Sequence, residues 1–335
     1  MAVSTGVVVI GRNEGERLVK SLESVIGRAE HVVYVDSGST DRSVANARER
    51  GVHVVDLDMR VPFTAARARN AGWRRLCEIQ PDTRYVLFID GDCEVLPGFV
   101  ERCVEVLEKD EGIVAVCGYR RERHPEQSLY NRVCDVEWRS GPVGDCKAFG
   151  GDVVIRRAAL EAIGGYDESV IAAEDDELGI RLRKNGGRIH RIDVESTLHD
   201  AAMTRLDQWW KRAVRCGYAY AQVNDMHGET TPEHYFEAEK RRSLVWGAAV
   251  PAAAVGLAPI TAGASLGLLG LYPVQAVRIA KGAQREKHLS KEDSWAWGLS
   301  CAFSKIPEAY GIAKYHLDRA RQKRPEIIEY KGAKD

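Results

Sequence analysis

Apolar and polar positions follow two rhythms over the first part of the chain. Largely apolar runs, GVVVI at 6–10, HVVYV at 31–35, VHVVDL at 52–57 and YVLFI at 85–89, each lead into a polar, turn-forming stretch. Between them apolar residues recur at helical spacing: Leu18, Leu22, Val25 and Ile26, then helices over 41–50, with Thr40 or Ser39 as cap, and over 64–79. Runs that are apolar throughout predict strands buried on both faces. Strands alternating with helices predict an α/β fold, a Rossmann-like, mainly parallel sheet flanked by helices. Ligands bind such a sheet at the carboxyl ends of its strands. Asp36 follows the second run, and Asp90 and Asp92 follow the fourth, so acids collect at that edge.

The rhythm changes at Leu244, after which no charged residue occurs until Arg278. A membrane span needs about 20 apolar residues. This stretch is longer, and Pro259–Gly263 interrupts it near the middle, which predicts two arms and a bend. Arg241 and Arg242 precede it, and Arg278, Lys281 and Arg285 follow it, so a hairpin would bring positive charge to one face. The expected organisation is a catalytic domain over 1–225, its nucleotide-binding half about 1–95 and its acceptor half about 96–225. A membrane-embedded helical hairpin over 240–285 and an amphipathic, interfacial helical tail over 286–335 complete it.

Charge and cysteine content narrow the function. Lys+Arg 48 against Asp+Glu 49 gives a net charge of −1, no field for holding nucleic acid. The 8 cysteines include no C-x-x-C pair and read as packed, reduced thiols. The chain has no P-loop, no G-x-G-x-x-G after the first strand and no G-x-S-x-G, which weakens kinase, dehydrogenase and hydrolase readings.

Asp90 and Asp92 carry the first chemical signal. Residues i and i+2 of an extended segment project to one side, where two carboxylates repel unless a cation neutralises them. Oxygen ligands together with phosphates suit Mg²⁺ or Mn²⁺, though D-G-D also makes a tight turn. Around this pair stand VDSGSTD (35–41), FTAARARNAG (63–72), FIDGDCEV (88–95), GGDVVIRRAALEAIGGYDES (150–169) and EDDELGIRLRKNGGRI (174–189), in that order. With the opening VVIGRNEGERLVKSLESV, this set resembles the family 2 glycosyltransferases of the GT-A fold, over residues 6 to about 200.

The resemblance implies an inverting, metal-dependent transfer of sugar from a nucleotide-diphosphate-sugar donor to an acceptor hydroxyl. Asp36 would contact the base and Arg69 the nucleotide, with Arg67 a competing candidate. Asp90 would face the ribose or metal, Asp92 the metal and diphosphate, and the Gly150–Gly151 turn the sugar. The catalytic base would be Asp175, with Glu174 its rival; Asp176 and Glu177 would start the helix. His199, after the strand-like RIDVEST, would complete the metal shell. The stretch QWWKRAVRCGYAY (208–220) departs from the Q-x-x-R-W of processive members, which speaks against a processive polymerase. The acceptor expected beside a membrane hairpin is lipid-linked or saccharide, in cell-surface polysaccharide or glycolipid synthesis at the cytoplasmic face of the inner membrane. Two rival readings are a nucleotidyltransferase, whose Gly-rich basic loop GRNEGERL matches poorly, and a non-enzymatic scaffold, which would have lost Asp92 or the acids at 174–176.

Overall fold

A computed structural model describes residues 4–323 and 326–330; the last part of the tail expected over 286–335 falls outside the described residues. The chain divides into two compact units, one of 4–123 with Trp138–Ala201 and one of His124–Glu137 with 202–330.

The first unit is built on a nine-stranded sheet in the order β3-β2-β1-β4-β8-β6-β9-β5, with β7 also paired to β9. The four runs legible in the sequence are β1 (Thr5–Gly11), β2 (Val32–Asp36), β3 (His53–Asp56) and β4 (Tyr85–Asp90), all mutually parallel. Alternation along them feeds two cores. Val7, Val9, Tyr34, Leu87 and Ile89 meet α1 (Glu16–Val25), α2 (Ser43–Glu49) and, further along the chain, α4 (Phe99–Lys109). Val8, Ile10, Val33, Val35, Val86 and Phe88 meet α3 (Ala65–Ile79) and the later α6 (Arg157–Ala162) and α7 (Glu174–Lys184). Each such fully buried side chain contributes about 1.5–3 kcal/mol.

The other half corrects the expectation of a mainly parallel sheet. β5 (Cys93–Val95), β6 (Ile113–Glu122), β7 (Gly144–Cys146), β8 (Val153–Arg156) and β9 (Arg188–His199) join through β4–β8, β6–β8, β5–β9 and β7–β9 pairings that are all antiparallel; only β6–β9 is parallel. The start of α2 is also corrected. Neither Thr40 nor Ser39 caps it: Asp41 Oδ1 accepts from Ser43 N at 2.9 Å, while Ser39 Oγ accepts from Asn13 N and Thr40 N donates to Asn13 Oδ1. Those bonds tie the β1–α1 and β2–α2 turns together.

The second unit is helical: most of α5 (Leu129–Trp138), then α8 (Leu206–His227), α9 (Glu237–Leu244), α10 (Val250–Gly256), α11 (Leu271–Glu286), α12 (Lys291–Phe303) and α13 (Lys305–Ala320). α8 and α13 pack backbone to backbone. A Cβ on Gly217 would lie 1.9 Å from Glu308 O, and one on Gly311 2.1 Å from Val214 O, so only glycine fits either place. α9 runs into α10 through a widened π turn at Val245–Ala249, directly ahead of Pro251, which has no N–H to continue the ladder. The chain turns at 257–263 and returns through the 3₁₀ segment Ala264–Gly270 into α11, where Tyr272 OH donates to Trp246 O. The charge-free stretch thus folds back on itself at the expected bend. Its apolar tip is exposed, Ile260 by 82% and Val255 and Val274 by 64% each. Among the described residues no helix is long and apolar enough to cross a membrane. The described part of the tail expected over 286–335 holds two helices, divided at Ser304 with Pro307 in the first turn of the second.

Candidate active site

α3 is capped by Thr64, whose Oγ1 accepts from Arg67 N at 3.1 Å. Its helical spacing turns Ala66, Arg69, Asn70 and Trp73 toward the core. Arg69 is therefore an arginine buried to 2% exposure, and its charge needs partners there. Nη1 donates to Glu174 Oε1 at 2.6 Å, Nη2 donates to Asp90 Oδ1 at 2.9 Å, and Asp175 Oδ1 lies 3.5 Å from Nη1. The Tyr166 ring lies beneath the guanidinium, 5.5 Å away, and Tyr166 OH donates to Asp175 Oδ1 at 3.5 Å.

Glu174 and Asp175 open α7, where the helix dipole favours carboxylates. Ala173 swings the chain into the helix with a left-handed φ of 57°, a strained conformation for a residue with a Cβ. The two acids are not equivalent. Glu174 is engaged with Arg69. Burial drives the Asp175 carboxyl up; Arg69 pulls it down, but Glu174, Asp90 and Asp176 push it further, to about 8. That suits proton transfer near neutrality.

Asp90 has the opposite balance. Burial raises it, but Arg69 at one oxygen and Arg120 Nη2, 3.6 Å from the other, hold it below the usual carboxylate range. Arg120 comes from β6 just after a register shift against β9, a local irregularity that re-aims side chains. It donates to Asp152 Oδ1 through Nε at 3.0 Å and Nη2 at 2.8 Å. Ser196 Oγ and Thr197 Oγ1 donate to the other oxygen of Asp152. Gly151 closes this floor. A Cβ there would sit 2.7 Å from Arg69 Nη2, 2.7 Å from Asp90 Oδ2 and 3.1 Å from Arg120 Nη2, so any other residue would push the cluster apart.

Asp92 belongs to a second cluster. The β5–β9 register sets Cys93 opposite His199. His199 Nε2 lies 3.4 Å from Asp92 Oδ1, and Nδ1 lies 3.7 Å from Glu122 Oε2. The edge of the imidazole meets Trp138, ring centres 4.4 Å apart. Asp92, Cys93 and His199 are buried and each brings one donor atom within 4.8 Å of the others, a set that fits a divalent cation.

Asp36 is also buried. Tyr34 OH donates to Oδ1 at 2.8 Å, and Gly38 N and Ser39 N donate to Oδ2 at 3.0 and 2.8 Å, so the carboxylate shapes the turn after β2. Arg67, the rival of Arg69, points elsewhere and donates to the carbonyls of Val61 and Asp58. Of the sequence candidates, the structure gathers Arg69, Asp90, Gly151, Glu174 and Asp175 into one cluster and Asp92 and His199 into the other. Sequence reasoning missed Arg120, Asp152, Tyr166, Glu122 and Trp138. Asp152 stands directly after Gly151 and Tyr166 within GGYDES, so both lay inside motifs already singled out; Arg120, Glu122 and Trp138 carried no local signal.

Residues 6–152 match the family described as Glycosyl transferase family 2. The chain is 28% identical over 207 residues to the succinoglycan biosynthesis protein ExoA of Rhizobium meliloti (strain 1021), covering 58% of this chain and 61% of that protein, less than two thirds of its length. Among solved structures it is similar to a mannosyltransferase, PcManGT from Pyrobaculum calidifontis in complex with GDP-Man and Mn²⁺, with a TM-score of 0.62 at 21% identity, covering 92% of this chain and 86% of that one. It is also similar to S. aureus TarS 1-349, with a TM-score of 0.51 at 14% identity, covering 92% and 91%. These likenesses are of fold, the GT-A type.

Proposed function

From the premise that residues 6–152 belong to glycosyl transferase family 2, we propose that this chain moves a sugar from a nucleotide-diphosphate-sugar to an acceptor hydroxyl with inversion. The observation that carries this reading is Asp175, a buried carboxylate whose basicity is raised to about 8 beside a sheet edge rich in acids. Asp175 takes the proton of the attacking hydroxyl. Tyr166 and Arg69 hold its carboxylate in place, and Glu174 keeps Arg69 from neutralising it fully. Asp90, kept ionised, accepts hydrogen bonds from the donor's ribose, and the bare backbone at Gly151 admits the sugar. Asp36 faces the base, and Arg69 acts on the nucleotide through Asp90. Asp92 and His199 would hold Mg²⁺ or Mn²⁺, which when bound offsets charge on the departing diphosphate.

The acceptor side of the proposal rests on the helical hairpin. Its apolar tip and the exposed Arg241, Arg242, Arg278, Lys281 and Arg285 at its base suit insertion into the cytoplasmic leaflet of the inner membrane, next to a lipid-linked or saccharide acceptor. Polysaccharide or glycolipid synthesis agrees with the name of the Rhizobium meliloti relative.

Incubating the purified chain with a panel of nucleotide sugars, with Mn²⁺ and with EDTA, tests the reaction. At least one donor should be hydrolysed slowly and raise Tm with Mn²⁺ only. No hydrolysis and no stabilisation across the panel would overturn the reading. For the membrane, Ile260→Glu should reduce binding to anionic vesicles and leave donor hydrolysis unchanged. Equal binding by both proteins would remove the lipid acceptor.

A further inference from the structure

We propose that the Cys93 thiol is itself a ligand of the cation held by Asp92 and His199, which makes this a thiophilic centre favouring Zn²⁺ or Co²⁺ over Mg²⁺. The inference deepens the metal reading above and rests on it. It starts from the strand register. β5 opens on Cys93, and antiparallel pairing sets it directly across from His199 on β9, so both side chains leave the sheet on one face. Asp92 precedes it and brings Oδ1 to 3.7 Å from Cys93 Sγ and 3.4 Å from His199 Nε2. Three donors, one sulfur, one nitrogen and one oxygen, therefore lie within 4.8 Å of one another. With bonds of about 2.0–2.3 Å, the ligand atoms of a tetrahedral centre sit about 3.3–3.8 Å apart. The two edges at Asp92 Oδ1, 3.7 and 3.4 Å, fall in that interval.

The surroundings select for the ion as well. Cys93 is fully buried, so its sulfur faces neighbouring side chains and not bulk water. Glu122 lies toward Nδ1 of His199, the outer carboxylate that typically orients a metal-binding imidazole and directs Nε2 inward. Trp138 covers the ring's edge. Asp90 is occupied by two arginines, which leaves the second cluster to supply the ligands. A set with one carboxylate, one imidazole and one thiolate is soft for Mg²⁺, which takes oxygen, and well suited to Zn²⁺ or Co²⁺. On binding, the thiol S–H bond breaks, the sulfur–metal bond forms and the proton passes to solvent, with no change of oxidation state.

Cobalt reports the donor set without any turnover. The full chain loaded with Co²⁺ should show a near-ultraviolet sulfur-to-cobalt charge-transfer band in addition to the visible d–d bands. Cys93→Ser should lose the former and keep the latter. Cys103→Ser, a buried thiol on α4 outside the cluster, should keep both. In competition titrations Cys93→Ser should weaken Zn²⁺ by about tenfold or more and Mn²⁺ by less than about threefold. If Cys93→Ser fails to fold, zinc-edge X-ray absorption of the wild-type protein should show a sulfur shell near ~2.3 Å. A charge-transfer band missing from the cobalt-loaded wild type, one surviving in Cys93→Ser, or a zinc shell without sulfur overturns the Cys93 assignment and leaves the Asp92–His199 centre standing. No binding of any of these ions overturns both.

Discussion

Two clusters share the carboxyl edge of the sheet, and the same residue type does different work in each. Asp90 stands between two guanidiniums, Arg69 and Arg120, and is locked as an anion. Asp92, two residues on, stands beside an imidazole and a thiol. Spacing alone makes the two aspartates look like a matched pair. The partners separate them, because a carboxylate held between two arginines gains little from a cation, whereas one grouped with an imidazole and a thiol belongs to a set that can bind one. Asp175 extends the lesson. It sits near the same Arg69 that lowers Asp90, yet burial and three neighbouring carboxylates raise it to about 8.

The strongest way to break this division is Asp92→Ala. It should cut transfer by on the order of 10³ or more, the several kcal/mol a metal supplies, and abolish metal-dependent binding of nucleoside diphosphate by calorimetry. Wild-type, metal-stimulated activity in that variant would erase the difference between the clusters. Asp175→Asn should lower turnover by on the order of 10²–10⁴ with donor affinity nearly unchanged. Initial rates and calorimetry on one preparation decide it, and an equal loss from Glu174→Gln alone would move the base by one residue.

The titration of Asp175 gives a smaller, signed effect. The base must be ionised, so kcat/KM should climb about tenfold per pH unit below a limb near the folded value of about 8 and level off above it. Stability runs the other way. The folded pKa lies above the unfolded one, so the folded state holds the extra proton between about 3.9 and the raised value, and stability is lost as pH rises through that window. Asp175→Asn should therefore raise Tm relative to wild type at pH 9 and much less at pH 4. Smallest is Arg120→Gln. Losing one of its two arginines, Asp90 should titrate higher and donor KM should rise by about tenfold or less, the worth of one pKa unit, with kcat near wild type. An unchanged KM would mean that Arg69 alone sets the charge of Asp90.

The parallel half of the sheet was legible because β1, β2 and β4 are buried apolar runs, and burial on both faces forces that pattern, whereas the edge strand β3 is only partly buried. β5 and β7 are three residues each, and the Gly-Asp-Cys of β7 has no apolar rhythm, so their pairing with β9 decides their state. The same limit governed the site. Asp90, Asp92, Glu174 and Asp175 sit in recognisable motifs, but Arg120 and Glu122 become functional candidates only when β6 lies beside β9. The helical hairpin was readable from a missing feature, charge, and its bend from Pro259–Gly263.

The Arg69–Glu174 pair joins positions 105 residues apart. Asp90, 21 residues from Arg69, can meet the guanidinium as soon as β4 is in place, but its Nη1 keeps water until that long loop closes, because a buried charge short of partners is costly. A chain emerging from the ribosome can pair β1, β2 and β4 and bring Arg69 to Asp90, but the Glu174 and Asp175 contacts wait until α7 has been made and docked.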